Sequence, residues 1–335
     1  MIAKPKSSAP TRTSISTVLP YRETASCQPQ HTLASCVGCS GTGLHSGVTV
    51  TMTLNPAPAN SGIRLKRTDL PGTPEIAATW RNACETPLCT TLVDGQARVA
   101  TVEHLMAALA SMGVDNVLVE VDGPEVPIMD GSAAPFVFLV ECAGLEPQET
   151  PRRAIRIEKP IRVPDDGRSA ALEPARQGLT LDVEIDFDSA VIGQQHRRDY
   201  LDRATFKRDL ARARTFGFLS DVDKLRAAGL ALGGSLDNAV VIDQGRILNE
   251  GGLRYPDEFV RHKILDSIGD LYLAGVPIIG RFVGRRTGHA LNLRLLAAVF
   301  ADTSAWRWVE PSAADLEPPM EDGPTMLNRA VALRP

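Results

Sequence analysis

Chemistry is most legible in the run Arg261-His262-Lys263-Ile264-Leu265-Asp266-Ser267-Ile268-Gly269-Asp270. Spaced four apart, His262 and Asp266 share one face of a helix, one turn from each other, within reach of a single divalent metal. Asp270 would sit roughly 12 Å along the axis from His262. Zinc ligands lie only about 2 Å from the metal, so Asp270 is too far away to join them and must orient another group. Taken alone, these polar residues fit a solvated face laced by i,i+4 pairs better than they fit a metal site.

Two further clusters bear on that choice. Glu103 and His104 open a second predicted helix. Neighbours on a helix point about 100° apart, so the pair cannot comfortably share one metal. It can place an imidazole on the metal and a carboxylate beside it. The alternative is that Glu103 complements the helix N-terminus, with Thr101 as cap. His289 stands in Arg286-Thr287-Gly288-His289-Ala290, a loop before a helix, where a mobile catalytic side chain or a surface histidine would both be at home. Cys36 and Cys39 form a lone C-x-x-C, a weak zinc or redox signal better read as incidental thiols.

These groups need a scaffold, and the chain of 335 residues, 23% charged and 43% hydrophobic, suits a globular protein of two domains. A net charge of −4 without a long basic cluster argues against nucleic acid. No apolar run is long enough for a transmembrane helix, and the N-terminus lacks a secretory apolar segment. Six cysteines fit a reduced, cytoplasmic setting. Val48, Val50, Met52 and Leu54 alternate as in a strand before Pro56. Helices are expected from Thr101, over Phe136–Ala143, Phe206–Arg212, Val222–Gly229, Phe259–Ala274 and Leu291–Phe300. Strands are expected over Asn116–Val121, Ala154–Val163, Ala170–Glu173, Leu179–Phe187 and Val240–Ile242. Residues 147–153 read as a linker. The expected division is a disordered extension (1–28), an α+β domain (29–148), a second α+β domain (152–300) and a loosely ordered tail (301–335).

The chain resembles the UDP-3-O-acyl-N-acetylglucosamine deacetylase family over roughly residues 29–300. The resemblance rests on Gly41-Thr42-Gly43-Leu44-His45-Ser46-Gly47, Thr101-Val102-Glu103-His104-Leu105 and Pro127-Ile128-Met129-Asp130-Gly131-Ser132-Ala133. It continues through Ala213-Arg214-Thr215-Phe216-Gly217-Phe218, the 261–270 run and Gly288-His289-Ala290-Leu291-Asn292. Six separated motifs in the family's order are highly specific. The resemblance implies two α+β domains, each a five-stranded sheet with two helices, packed helices inward as in ribosomal protein S5 domain 2. It implies one zinc ion per chain held by His104, His262 and Asp266, an open set of the catalytic kind.

By the same resemblance, the reaction is hydrolysis of the acetamido group of a UDP-3-O-acyl-N-acetylglucosamine, the committed step of lipid A synthesis. Glu103 would act as base. Thr215 would donate to the oxyanion, a contact worth about 3 kcal/mol. His289, held by Asp270, would act as the cationic acid. Lys263 would meet the substrate diphosphate, with a solvated lysine as the alternative. Phe216, Leu44 and Gly288 are implied to contact substrate. A βαβ insert at 217–248 would form an acyl passage, with Leu225, Leu230, Leu232 and Leu236 as candidates. Two departures stand out: Arg285-Arg286-Thr287-Gly288-His289 replaces Tyr-Lys-Ser-Gly-His, and Asn238 replaces the Cys of Ser-x-Asp-Cys. A monomer is expected, with at most transient contact with a membrane surface. An idle UDP-sugar-lipid binder, or a deacetylase of a different nucleotide sugar, are the competing readings.

Overall fold

A computed structural model describes residues 27–86 and 88–316. The expected disordered extension lies, through residue 26, outside the described residues, as does the tail from residue 317. The architecture is α+β. In the first half, five strands run in the order Val37–Thr42, Thr49–Pro56, Val117–Val121, Ile63–Arg67, Glu75–Ala77. Alternation sets their faces: Val50, Met52 and Leu54 point into the core, with Thr49, Thr51 and Thr53 between them. A separate small sheet, Ala83–Glu85, Thr90–Asp94 and Ala97–Val99, leads into the helix Glu103–Met112.

The second half is built around Ile278–Arg285, which pairs in parallel with Leu179–Asp186 and Ala154–Ile157 and antiparallel with Arg168–Glu173. With Ile161–Asp165, Gln194–Tyr200 and Trp306–Val309 the sheet has seven strands, not the expected five. One of the two extra strands comes from residues read as tail: Trp306–Val309 pairs with Ala154–Ile157, and Ala313–Leu316 adds a short helix. The expected strand Ala154–Val163 is broken into two around Pro160, a residue without the N–H that a ladder needs. The linker expected at 147–153 also differs. Leu145–Pro151 is a strand that closes a two-stranded ladder with Pro29–Leu33, because its polar alternation suits an exposed ladder as well as a loop. The insert forms a small sheet, Phe216–Phe218, Val240–Asp243 and Arg246–Ile247, with the helix Leu219–Ala227 between its parallel strands. Among the described residues no helix is long and apolar enough to cross a membrane.

The helices of the two halves meet between the sheets. The helix Glu258–Tyr272 is buried almost all round; only Arg261 and Lys263 reach intermediate exposure, as expected of a helix covered on every side. It lies on the strand Leu179–Asp186 on one side and on the helix Glu103–Met112 on the other. The approach is closest at Gly269, where an added Cβ would stand 2.0 Å from the Glu103 carbonyl oxygen and 3.0 Å from its Cα. Backbone cannot yield as a flexible side chain can. Gly269→Ala should therefore destabilise the fold by about 3 kcal/mol, the upper end of overpacking costs, although alanine favours an isolated helix by about 1 kcal/mol. Urea unfolding measures the balance; a variant more stable than the parent would show that the helices are not held this close.

Candidate metal and acid–base site

Three donor side chains converge where these helices touch. His104 comes from one helix and His262 with Asp266 from the other, and their ligand atoms all lie within 4.8 Å of one another. Asp266 Oδ1 is 3.3 Å from His262 Nε2 and 3.5 Å from His104 Nε2. Donors held at about 2.0–2.1 Å in a tetrahedral zinc site lie about 3.3–3.4 Å apart. All three side chains are buried, and Asp266 Oδ1 has no hydrogen-bond partner. A buried carboxylate oxygen facing two imidazole nitrogens at this spacing calls for a cation. The donor set therefore fits a metal.

The surrounding contacts prepare these donors. The His262 ring donates through Nδ1 to the Ala213 carbonyl at 3.0 Å, which leaves Nε2 free as a ligand atom. Burial, despite the opposing field of Asp266, takes its pKa down to about 4, so the ring is neutral, as a ligand must be. Asp266 spends its other oxygen on Lys263 Nζ at 2.7 Å. Burial alone would raise the Asp266 pKa; His262 and the Lys263 ammonium beside it outweigh that and hold the carboxyl well below its ordinary value. Lys263 is thus a part-buried ion-pair partner lining the cavity, not a solvated lysine.

Glu103 and His289 face each other across this group. Thr101 does not cap the helix; its hydroxyl donates to Glu125 at 2.7 Å, and no side chain caps the helix start. Glu103 instead accepts the Thr90 N–H at 3.0 Å through Oε2, while Oε1 lies 4.0 Å from His289 Nε2. Burial raises the Glu103 pKa against the pull of His289 and His104. His289 begins the helix His289–Ala301, and its Nδ1 meets Asp270 Oδ2 at 2.9 Å. Burial opposes its cation, but Asp270, Glu103 and Asp266 outweigh that and lift its pKa to about 9. Asp270 is fully buried and behind the metal donors, as its spacing implied. Thr90 and Asn292 also donate to it, at 2.6 and 2.8 Å.

Glu103, His104, His262, Lys263, Asp266 and His289 form the polar end of a cavity of about 890 Å³. Thr215 lines it, pinned by backbone bonds to Gly131 and Val240. The preceding Arg214 makes a buried pair with Glu258, donating Nε at 2.8 Å, and so ties this segment to the start of the His262 helix. Phe216 packs edge-on against Phe259, ring centres 4.9 Å apart, and also lines the cavity. Leu44 and Gly288 reach its wall. Leu44 stands on a loop held by Glu125, which accepts the N–H groups of His45 and Ser46 at 2.9–3.1 Å. Gly43 leaves room for that carboxylate: a Cβ there would lie 2.5 Å from Glu125 Oε2. Leu225 and Leu236 line the apolar end; Leu230 is not part of the wall, and Leu232 is half exposed beside Gly47.

Thr90 and Glu125 are the supports that sequence reasoning missed. Neither carries a spacing signal, because each acts from a strand end or loop on partners distant in the chain.

Residues 30–301 match the family described as UDP-3-O-acyl N-acetylglycosamine deacetylase. The chain is 52% identical over 284 residues to the UDP-3-O-acyl-N-acetylglucosamine deacetylase of Acidithiobacillus ferrooxidans, covering 84% of this chain and 93% of that protein. It is 51% identical to those of Tolumonas auensis, over 84% of this chain and 92% of the relative, and Vibrio parahaemolyticus, over 83% and 92%. With matched segments running through both sheets and through every residue of the convergent site, the chain belongs to the UDP-3-O-acyl N-acetylglycosamine deacetylase family.

Proposed function

We propose that this chain is a zinc-dependent amidohydrolase that removes the acetyl group of a UDP-3-O-(3-hydroxyacyl)-N-acetylglucosamine and releases acetate. What most supports this is one observation: a carboxylate and an imidazole face each other beside a three-donor metal group, in a cavity that continues into an apolar passage. His104, His262 and Asp266 would hold the ion. When bound there, zinc supplies a Lewis acid that polarises the amide carbonyl and lowers the pKa of water.

The chain's own residues carry the proton traffic. Glu103 accepts a proton from the attacking water as a C–O bond forms at the acetyl carbon. The Thr215 hydroxyl donates to the developing oxyanion. As the C–N bond breaks, His289 delivers a proton to the sugar nitrogen, and Asp270 holds the imidazole in register. Lys263 stands beside the substrate, Phe216, Leu44 and Gly288 form its walls, and the insert receives the acyl chain. In this reading the enzyme acts as a cytoplasmic monomer, a step in lipid A synthesis, with at most transient contact with a membrane surface. The division into 29–148 and 152–300 domains, with the insert at 217–248, belongs to the same proposal and is supported by two main sheets that share no strand, one drawn from residues 37–121 and the other from 154–309.

Purified, zinc-loaded protein should release acetate from the substrate, and Glu103→Ala should lower kcat by about 10²–10⁴-fold, the usual contribution of a positioned base, with zinc content unchanged. An inactive parent with zinc in place, or an unaffected variant, contradicts the mechanism. A second test uses pH. Glu103 works deprotonated, and burial has raised its pKa, so activity falls as pH drops through that raised value. His289 works protonated, so activity also falls as pH rises through about 9. His289→Gln should cut kcat and remove the alkaline limb; the same rate and profile as the parent would rule out its role.

A further inference from the structure

Base and acid arrive on different helices from different halves of the chain, yet their proton transfers must serve one substrate bond. A misplacement of about 1 Å between such groups can cost about 10²-fold in rate, so something must set their separation. Among the described residues, Thr90 is the one whose hydrogen bonds reach both Glu103 and the Asp270 behind His289. It opens the strand Thr90–Asp94, is fully buried and stands outside the cavity wall. Its N–H donates to Glu103 Oε2 at 3.0 Å, its carbonyl accepts the Val102 N–H at 3.3 Å, and its hydroxyl donates to Asp270 Oδ1 at 2.6 Å.

The hydroxyl has a task that no other group covers. Asp270 could rotate its carboxylate about its last torsion, a soft one. Asn292 Nδ2 anchors Oδ2 at 2.8 Å and Thr90 anchors Oδ1, so the plane is held from both ends. His289 Nδ1 then meets that plane at 2.9 Å from Oδ2 and 3.2 Å from Oδ1. Without the hydroxyl, Oδ1 would keep only the longer imidazole contact, and the ring would lose its fixed aim at the cavity.

From this geometry we infer that Thr90 is a positioning residue for the deacetylation, coupling the placement of Glu103 to that of the Asp270–His289 pair. The inference rests on the functional reading above. Thr90 lies outside the cavity wall, makes no hydrogen bond to the metal donors and acts through Glu103 and Asp270. Its backbone bond survives any substitution but proline; the hydroxyl bond does not, so the two can be separated.

The test compares Thr90→Val, which keeps the β-branch and the N–H but removes the hydroxyl, with Thr90→Ser, which restores it. In the zinc-loaded full chain, Thr90→Val should lower kcat for acetate release about tenfold, in the 10–100-fold range typical of partners behind a site, with KM within about twofold of the parent. Thr90→Ser should recover most of that loss. In an Asp270→Ala background, Thr90→Val should cost less than about twofold, because the acceptor of the hydroxyl is already gone. Unfolding midpoint and zinc content are measured on each variant; should the valine form not fold, Thr90→Ala undergoes the same comparison. Equal kcat in the parent and the hydroxyl-free variant, no recovery with serine, or a full loss on top of Asp270→Ala each overturns the inference alone. A parent that releases no acetate overturns the functional reading and the inference with it.

Discussion

The whole site depends on how closely two helix backbones approach. Gly269 leaves no side chain between the helix Glu258–Tyr272 and the Glu103 carbonyl, so the two axes can draw together at this point. Only then does His104 reach His262 and Asp266. The same contact decides what Glu103 does. Set about 100° round the helix from His104, it cannot join the metal donors and is carried to their flank, 4.0 Å from His289. A wider spacing would separate ligands from base and base from acid at once.

Electrostatics then sorts identical residue types into different tasks. Three carboxylates and two imidazoles are buried within one small volume, with the part-buried His289 against them, where an unpaired charge is expensive. Each is assigned by its partners. His262 donates a hydrogen bond to a backbone carbonyl and is neutral; His289 donates one to Asp270 and is held cationic up to about 9. Asp266 is held ionised by Lys263, while Glu103, lacking a cation in direct contact, is the carboxylate whose affinity for a proton rises. That contrast suits one to a metal and the other to proton transfer.

Much of this was legible in the chain because the chemistry is carried by local spacing. The i,i+4 pair and the overlong reach to Asp270 both follow from helical rise, and alternation disclosed strands such as Thr49–Pro56. The resemblance, not the spacing, supplied the joining of His104 to His262. Elements with weak or polar patterns escaped: Leu145–Pro151 alternates like an exposed loop, and the short hairpin carrying Thr90 has too few residues to show a period. Trp306–Val309 lies in a stretch whose prolines and acids suggested a tail, and its strand exists because the edge of Ala154–Ile157 needed a partner. Long-range polar supports such as Glu125 on the 43–47 loop, or Thr90 on Asp270, leave no local mark, since their partners are fixed only by tertiary packing.

If the site works as proposed, a single metal binds between these two helices. Anomalous diffraction at the zinc edge, from crystals of the zinc-loaded protein, would locate it. One strong peak per chain is expected, about 2 Å from His104 Nε2, His262 Nε2 and Asp266 Oδ1. No peak at that position, or a zinc ion held instead by Cys36 and Cys39, would contradict it.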